Sequence, residues 1–340
     1  MDIERKVQRY KTVKKRKVAV FKYTNKKTGI NITDKKILDR ISSLRIPPAY
    51  KNVKISTSIK NKIQAMGIDD KKRVQYIYNP SYVIKQSENK FKDLVLFGKN
   101  IKSIRKDVTR ILKETGSGKR YLLSKNSLIA MVLYLVDVCN FRIGSQKYKL
   151  LYKTFGVTTL NKSHFKKMGE NYSIQFIGKK MVSNSGVIKK KNICRLLDEL
   201  IVKNKGEYIF NSIENGIKTR ITEKHVNAFL KKYNSKLSVK MFRTWKANTI
   251  LLKELLDYPL PGNKTDSKGN LQDIIKIVAE KLHHTKNVSK KSYMNNKIIE
   301  LYSDSPNQFK KMLMNFKGKN NKLPEIDTLF SNFLDSFNKK

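Results

Sequence analysis

The spacing of apolar residues changes partway along the chain. Up to about residue 85 they come in short runs with polar neighbours, which predicts strands and turns. Val18–Tyr23 reads as a strand, Asn25–Gly29 as a turn and Asp34–Ser42 as a short helix. Arg45-Ile46-Pro47-Pro48-Ala49-Tyr50 stiffens the chain, because paired prolines forbid helix. Arg73–Tyr78 (RVQYIY) is a further strand, and the polar stretch Lys85–Lys90 reads as the domain boundary.

Beyond that boundary the period becomes helical. Ile101–Lys113 carries Ile104, Val108, Ile111 and Leu112 on one face of a basic amphipathic helix, and Leu122–Phe141 is apolar enough to be core. Phe155–Leu160 (FGVTTL) is expected to open a β section. Tyr172–Ile177 and Val187–Lys190 suggest a hairpin with a turn at Ser183–Gly186, while Gly178-Lys179-Lys180 marks a bend. Helices are expected at Asn192–Val202, Glu223–Tyr233, Lys240–Leu256 and Leu271–Leu282, with a loop at Asp257–Gly269. The tail reads as helical through Phe309–Phe316 and Pro324–Phe337. There are no internal repeats.

A chain of 340 residues carrying 74 Lys and Arg against 27 Asp and Glu has a formal net charge of +47. That surplus favours a polyanionic partner, DNA or RNA before membrane. Lysine dominates the cations, together with abundant Asn and Ile, so part of the charge reflects an A/T-rich coding bias, and each arginine gains weight as a marker. The longest apolar run, Leu128–Val136, falls well short of the roughly 20 residues a membrane helix needs, and Met1–Tyr10 does not read as a secretory leader. Cys139 and Cys194 suit packed thiols in a reducing compartment rather than a disulfide or a zinc site. Val13–Lys17 (VKKRK) fits a nuclear signal or a solvated basic arm equally. Thr115–Arg120 (TGSGKR) imitates a phosphate loop but lacks its first glycine and its Ser or Thr, so ATP use is not supported.

The stretch that organises the rest is His283–Met294, HHTKNVSKKSYM. It holds two of the four histidines and places Tyr293 nine residues after His284 among lysines. A tyrosine hydroxyl titrates near pH ~10 in water, so it becomes a nucleophile only where cations stabilise its phenolate. The stretch alone reads more readily as an exposed basic helix whose tyrosine packs on the body. Other marked residues change that balance. Arg142 leaves a buried helix just before Gly144, Lys179 sits at a bend, and Arg243 stands two residues from the only tryptophan. A phosphodiester under attack gains charge on its non-bridging oxygens, which two arginines and a histidine can hold by charge-assisted hydrogen bonds. The departing 5′-oxygen needs a proton donor, and a lysine suits that role. Gln75, Tyr76 and Tyr78 on the Arg73–Tyr78 strand are candidate groove contacts, as are Lys147, Tyr148 and Lys240 on helices.

FRIGSQKY, TFGVTTL, FIGKK, KMFRTW and HHTKNVSKKSYM, in that order, resemble the type IB DNA topoisomerases. The likeness is to the compact poxvirus and mimivirus-type group, with IPPAY and RVQYIY similar to its small N-terminal domain. It runs from about Ile46 to Met294. The resemblance implies that Tyr293 attacks the scissile phosphate to form a 3′-phosphotyrosyl link. Arg142 and Arg243 would bind that phosphate, His284 would donate to a non-bridging oxygen, and Lys179 would protonate the leaving oxygen. Strand rotation and reversal would then relax supercoiled duplex DNA without ATP, metal or other cofactor. The implied fold is α+β: a small β-rich N-terminal domain over residues 1–85 and a larger, mainly helical catalytic domain over 86–340 with a small three-stranded sheet. The two would clamp duplex DNA, and a monomer would suffice. A viral protein of this type would work in the virion or host cytoplasm, a cellular one in the cytoplasm or on the nucleoid.

Departures from the pattern are local. Ser145 stands where compact viral relatives often carry a basic residue. Lys180 adjoins Lys179, but Lys179 follows the glycine as the family pattern wants, and the nine-residue gap selects His284 over His283. His283, His164 and His225 are assigned packing or surface roles. A tyrosine recombinase shares the nucleophile and both arginines, yet usually has histidine three residues before the second arginine, where this chain has Lys240. A non-enzymatic DNA-packaging protein would explain the charge alone.

Overall fold

Alternating apolar positions build one antiparallel sheet at the start of the chain. In the computed structural model, which describes residues 1–13, 16–204, 206–261, 264–318 and 320–338, β1 (Ile3–Val13), β2 (Arg16–Asn25), β3 (Lys51–Ile55), β4 (Ile63–Ile68) and β5 (Val74–Tyr78) pair in the order β2-β1-β3-β4-β5. Helix α1 (Lys35–Ser43) is capped by Asp34, whose carboxylate accepts from the Lys36 and Ile37 amides. Ile3, Ile41, Val53, Ile55 and Ala65 form the small core. The double-proline loop is held by Arg5, which donates to the carbonyls of Pro47 at 3.1 Å and Tyr50 at 2.5 Å. Of the basic run Val13–Lys17, Lys14 and Lys15 lie outside the described residues. Val13 closes β1 and Arg16 opens β2, so the flanks of the run are strand.

The chain divides into two compact units, Met1–Lys90 and Phe91–Lys340. Helix α2 (Pro80–Gly116) crosses the division without a break. The polar residues Lys85–Lys90, expected as a boundary, are therefore helical. In the larger unit α2 contributes Phe97, Ile101, Ile104 and Ile111 to a core shared with α3 (Lys125–Val138). Next come α4 (Gln146–Tyr152), then β6 (Phe165–Met168), β7 (Asn171–Gly178) and β8 (Val182–Ile188) in one three-stranded sheet, then α5 (Lys191–Lys203). A small pair follows, β9 (Asn211–Glu214) and β10 (Ile217–Arg220), and then α6 (Glu223–Leu230), α7 (Lys240–Asp257) and α8 (Lys264–Lys281). The chain continues through α9 (Lys286–Ser292), α10 (Asn296–Asp304), α11 (Pro306–Met314) and α12 (Ile326–Asn338). This is an α+β protein, as expected.

Three local expectations are corrected. Val157–Thr159 forms a 3-10 turn rather than the start of a β section. Ser183–Gly186 is not a turn but lies within β8, and the chain reverses at Lys179–Met181. The loop expected over Asp257–Gly269 is already helical from Lys264.

Helix α7 is the spine of the larger unit. Leu251, Leu252 and Leu255 are fully buried along it, and Trp245 is 1% exposed. The Trp245 indole donates to Asp327 at 2.5 Å and packs 4.7 Å from the Phe330 ring, so α12 closes over one side of α7. Asp327 also accepts from Arg105 at 2.7 Å, and Arg105 reaches Asp137 at 2.7 Å, tying α2, α3 and α12 together.

Candidate active site

Four of the five residues singled out by the sequence meet at one place. Arg142 arrives on the extended segment after α3. That segment is fixed by the Val157 amide donating to the Arg142 carbonyl at 2.9 Å and the Thr158 amide donating to Ile143 at 2.8 Å. The contact works because both residues at its crossing are glycine. A Cβ on Gly156 would stand 2.5 Å from the Gly144 backbone, and Gly144 itself has φ +90°. The FRIG and FGV motifs are thus two halves of one backbone contact that aims Arg142.

Arg243 comes from the first turn of α7 and is 4% exposed. Its guanidinium donates to the Asn140 carbonyl and, at 2.6 Å, to the Leu282 carbonyl. It also lies 2.5 Å from His284 Nε2. Asn140 has φ +57°, and its side chain donates to the Lys281 carbonyl, so the end of α3 and the end of α8 grip Arg243 together. Burial, reinforced by the neighbouring Arg142, lowers the Arg243 pKa to about 10, which still leaves it charged at neutral pH.

His284 follows α8, with His283 in the left-handed region at φ +53° turning the chain. His283 packs 5.9 Å from the Phe141 ring, the packing role expected of it. The His284 ring stacks on Tyr293 with centroids 4.4 Å apart, and its Nδ1 is 3.2 Å from the Ser289 hydroxyl. Burial first, then Arg243, Arg142, His283 and Lys180, pushes its pKa down to about 2, so the imidazole is neutral. Because Arg243 can only donate, Nε2 is the acceptor and the proton sits on Nδ1 facing Ser289.

Tyr293 terminates α9, whose first turn is capped by Thr285. Its position is set by a residue the sequence did not reveal. Asn248, fully buried one turn after Arg243, donates to the Tyr293 carbonyl at 2.8 Å and accepts the Asn295 amide at 2.7 Å. Asn248 and Ser289 look like ordinary polar positions in the sequence, and only the tertiary contacts distinguish them.

Two cations of this cluster have buried N–H groups without a hydrogen-bond partner, Arg142 Nη1 and Arg243 Nε. Among the described residues no carboxylate pairs with either guanidinium. Unpartnered buried donors cost about 1–3 kcal/mol each, so the arrangement suits an anion that takes them up.

Lys179 is placed apart. It stands at the β7–β8 tip, its ammonium 6.0 Å from the Tyr148 ring on α4. Gly178 before it admits no side chain, since a Cβ would meet the Asn184 amide at 2.4 Å, and Lys180 and Met181 both adopt positive φ. Lys180, not Lys179, is the lysine whose charge reaches His284.

The suggested DNA contacts fall into two groups. On β5 the strand alternation puts Tyr76 and Tyr78 on the exposed face, ring centroids 6.1 Å apart, with Tyr82 stacked beyond Tyr78 at 5.8 Å. Gln75 points to the other face and donates to Asp69 at 2.8 Å. Asp69 is held at about 2, chiefly by its hydrogen bond from Arg73. Lys147 and Tyr148 are exposed on α4, and Lys240 is exposed at the start of α7, 3.5 Å from Glu223.

A tyrosine stacked on a histidine beside two arginines with unpartnered buried N–H groups suits an anion, and comparison with known proteins gives the class. Residues 79–320 match the family model described as the eukaryotic DNA topoisomerase I catalytic core, and residues 20–69 match that of the bacterial DNA topoisomerase IB N-terminal domain. The chain is 31% identical to the DNA topoisomerase 1B of Acanthamoeba polyphaga mimivirus, over 81% of this chain and 82% of that protein. It is 25% identical to the DNA topoisomerase 1B of Vaccinia virus (strain Copenhagen), over 82% and 89%. The chain belongs to the type IB DNA topoisomerase family.

Proposed function

We propose that this chain relaxes supercoiled duplex DNA by cutting one strand through Tyr293, letting the duplex rotate, and resealing it. The observation that carries the reading is the pair of buried guanidinium donors, Arg142 Nη1 and Arg243 Nε, left without partners beside the stacked His284 and Tyr293. The scissile phosphate takes up those donors, and its negative charge offsets the crowding of cations. Tyr293 gives its phenolic proton to solvent as Oη attacks phosphorus, the P–O5′ bond breaks, and the 3′ end remains joined to the tyrosine. His284 turns an N–H towards a non-bridging oxygen once Arg243 has moved its own donor to the phosphate. Lys179 delivers a proton to the departing 5′-oxygen, which requires the hairpin tip to lie against the bound strand. Asn248 acts as a positioning residue by fixing the backbone on both sides of Tyr293.

One phosphodiester replaces another, so the bond energy needed for resealing is kept and no ATP is consumed. The cations supply the electrostatic stabilisation that a metal gives elsewhere, typically worth a factor of 10²–10³ per donor. Tyr76, Tyr78, Lys147, Tyr148 and Lys240 contact the duplex outside the reacting phosphate, with Gln75 beneath the exposed face of its strand. Because one nick suffices for rotation, the enzyme works as a monomer. No helix of the described residues is long and apolar enough to cross a membrane; a viral protein of this kind would work in a virion or host cytoplasm, a cellular one in the cytoplasm or on the nucleoid.

The test is relaxation of supercoiled plasmid with EDTA present and ATP absent, followed by mapping of the DNA-linked peptide from a suicide duplex. Relaxed circles and an adduct on Tyr293 are expected. An adduct on another side chain, or a requirement for paired specific sites, would overturn the reading.

A further inference from the structure

We propose that the β1–β2 hairpin is a second duplex-binding element, a cationic ribbon that grips DNA through its phosphates away from the reacting one. The inference rests on the reading that duplex DNA is the substrate. β1 pairs with the rest of its sheet only through Ile3 and Glu4, which face Ile55 and Lys54 of β3. From Arg5 onward its sole strand partner among the described residues is β2, so the two form a ribbon rooted by Arg5 in the double-proline loop. Directly opposed residues of an antiparallel pair share a face. Lys6 opposes Lys22, and, past an irregularity at Gln8, Arg9 opposes Val20 and Lys11 opposes Val18. Lys22, Val20 and Val18 alternate along β2, so Lys6, Arg9, Lys11 and Lys22 all lie on one face. The other face carries Val7 against Phe21 and Tyr10 against Ala19, with the Arg5 guanidinium 4.1 Å over the Phe21 ring.

All four cations of that face are exposed, and no acidic residue occurs between Arg5 and Lys22. Opposing Lys6 to Lys22 destabilises a ribbon by itself, and becomes favourable only when a polyanion lies across both. A two-stranded ribbon fits the major groove, and a bulge adds the twist needed to follow it. The family match to the N-terminal domain begins only at residue 20, so β1 stands outside both matched regions. Lysines on an edge strand can also serve only to prevent strand pairing between copies, and the experiment separates that role from DNA binding.

Duplex affinity of the full-length chain is measured by fluorescence anisotropy across a salt series. The quadruple variant Lys6→Gln, Arg9→Gln, Lys11→Gln and Lys22→Gln is compared with a control removing four exposed lysines of the C-terminal segment, Lys297, Lys311, Lys317 and Lys322, also by Gln. Each phosphate contact contributes about 0.9 to the slope of log affinity against log salt, so the ribbon variant is expected to lose up to about 3.6 from that slope while the control keeps it. Single-turnover cleavage at saturating enzyme stays at the wild-type rate. Equal losses in both variants mean the ribbon adds only net charge, no loss means it serves solubility, and either result overturns the proposal. A chain that forms the Tyr293 adduct yet shows no ribbon effect sinks this inference alone. Absence of the adduct sinks the catalytic reading and leaves the slopes interpretable.

Discussion

The pocket around Tyr293 and the hairpin tip carrying Lys179 belong to one proposed reaction but are built in opposite ways. In the pocket the groups are held by fixed contacts. Arg243 is gripped by the Asn140 and Leu282 carbonyls, Tyr293 by Asn248, and Arg142 by the Gly144–Gly156 contact. At the tip, Lys179 heads a three-residue reversal in which Lys180 and Met181 both take positive φ, and Met181 is 62% exposed. Groups that stabilise charge gain most from being preorganised. A proton donor needs only to reach its acceptor when the bond breaks. On the proposed mechanism, the contrast teaches that a phosphate site is fixed in advance while the acid is left to be placed by the substrate.

The contrast is broken most severely by removing a fixed group. Tyr293→Phe should abolish the covalent adduct while leaving duplex binding intact, read by denaturing gel and anisotropy. Arg243→Ala should slow single-turnover cleavage by at least about 10²–10³, since it also releases His284. Lys179→Ala should slow cleavage by about 10²–10⁴, with one distinguishing signature. A substrate whose 5′-bridging oxygen is replaced by sulfur leaves without a proton, so it should restore the rate to Lys179→Ala but not to Arg243→Ala. If Lys180→Ala shows the deficit and the sulfur rescue instead, the acid has been assigned to the wrong lysine.

Smaller effects test the scaffold. Asn248→Ala removes two bonds that bracket Tyr293 and should cost roughly 10- to 100-fold in cleavage, with duplex affinity unchanged. The neutral state of His284 makes a pH prediction. Its pKa falls from 6.5 to about 2 on folding, so over that range the unfolded chain holds a proton that the native chain lacks. Stability should therefore rise with pH through this window and level off above about 6.5. Denaturant titrations of His284→Asn should show a shallower rise, and NMR of the imidazole should show its pKa climbing when a phosphate-bearing duplex binds. Asp327→Asn should lower stability by about 1–2 kcal/mol and leave the rate at saturating enzyme nearly untouched.

Much of this was legible in the sequence. The apolar runs ending at Arg142 and leading into His283 mark the core-forming helices α3 and α8. The errors have physical causes. Ser183–Gly186 has turn composition but runs along an edge strand, where polar residues are tolerated, while the reversal at Lys179–Met181 falls where Gly178-Lys179-Lys180 marked a bend. The 3-10 turn at Val157–Thr159 replaces a strand because its amides are spent on Arg142 and Ile143. β1 has no clean alternation, since its outer residues face solvent on both sides. Asn248 was invisible because its partners lie 45 and 47 residues away.

The clasp between Trp245 and Asp327 spans 82 positions, and it has a consequence for how the protein is made. Synthesis delivers α7 long before α12, so on the ribosome the indole has neither its carboxylate nor the Phe330 ring against it. A nascent chain already holding Tyr293 still has an uncovered flank directly behind Arg243. Completion of α7's packing must therefore wait for α12, and a chain halted before residue 326 would carry the Tyr293 segment on an unsupported spine.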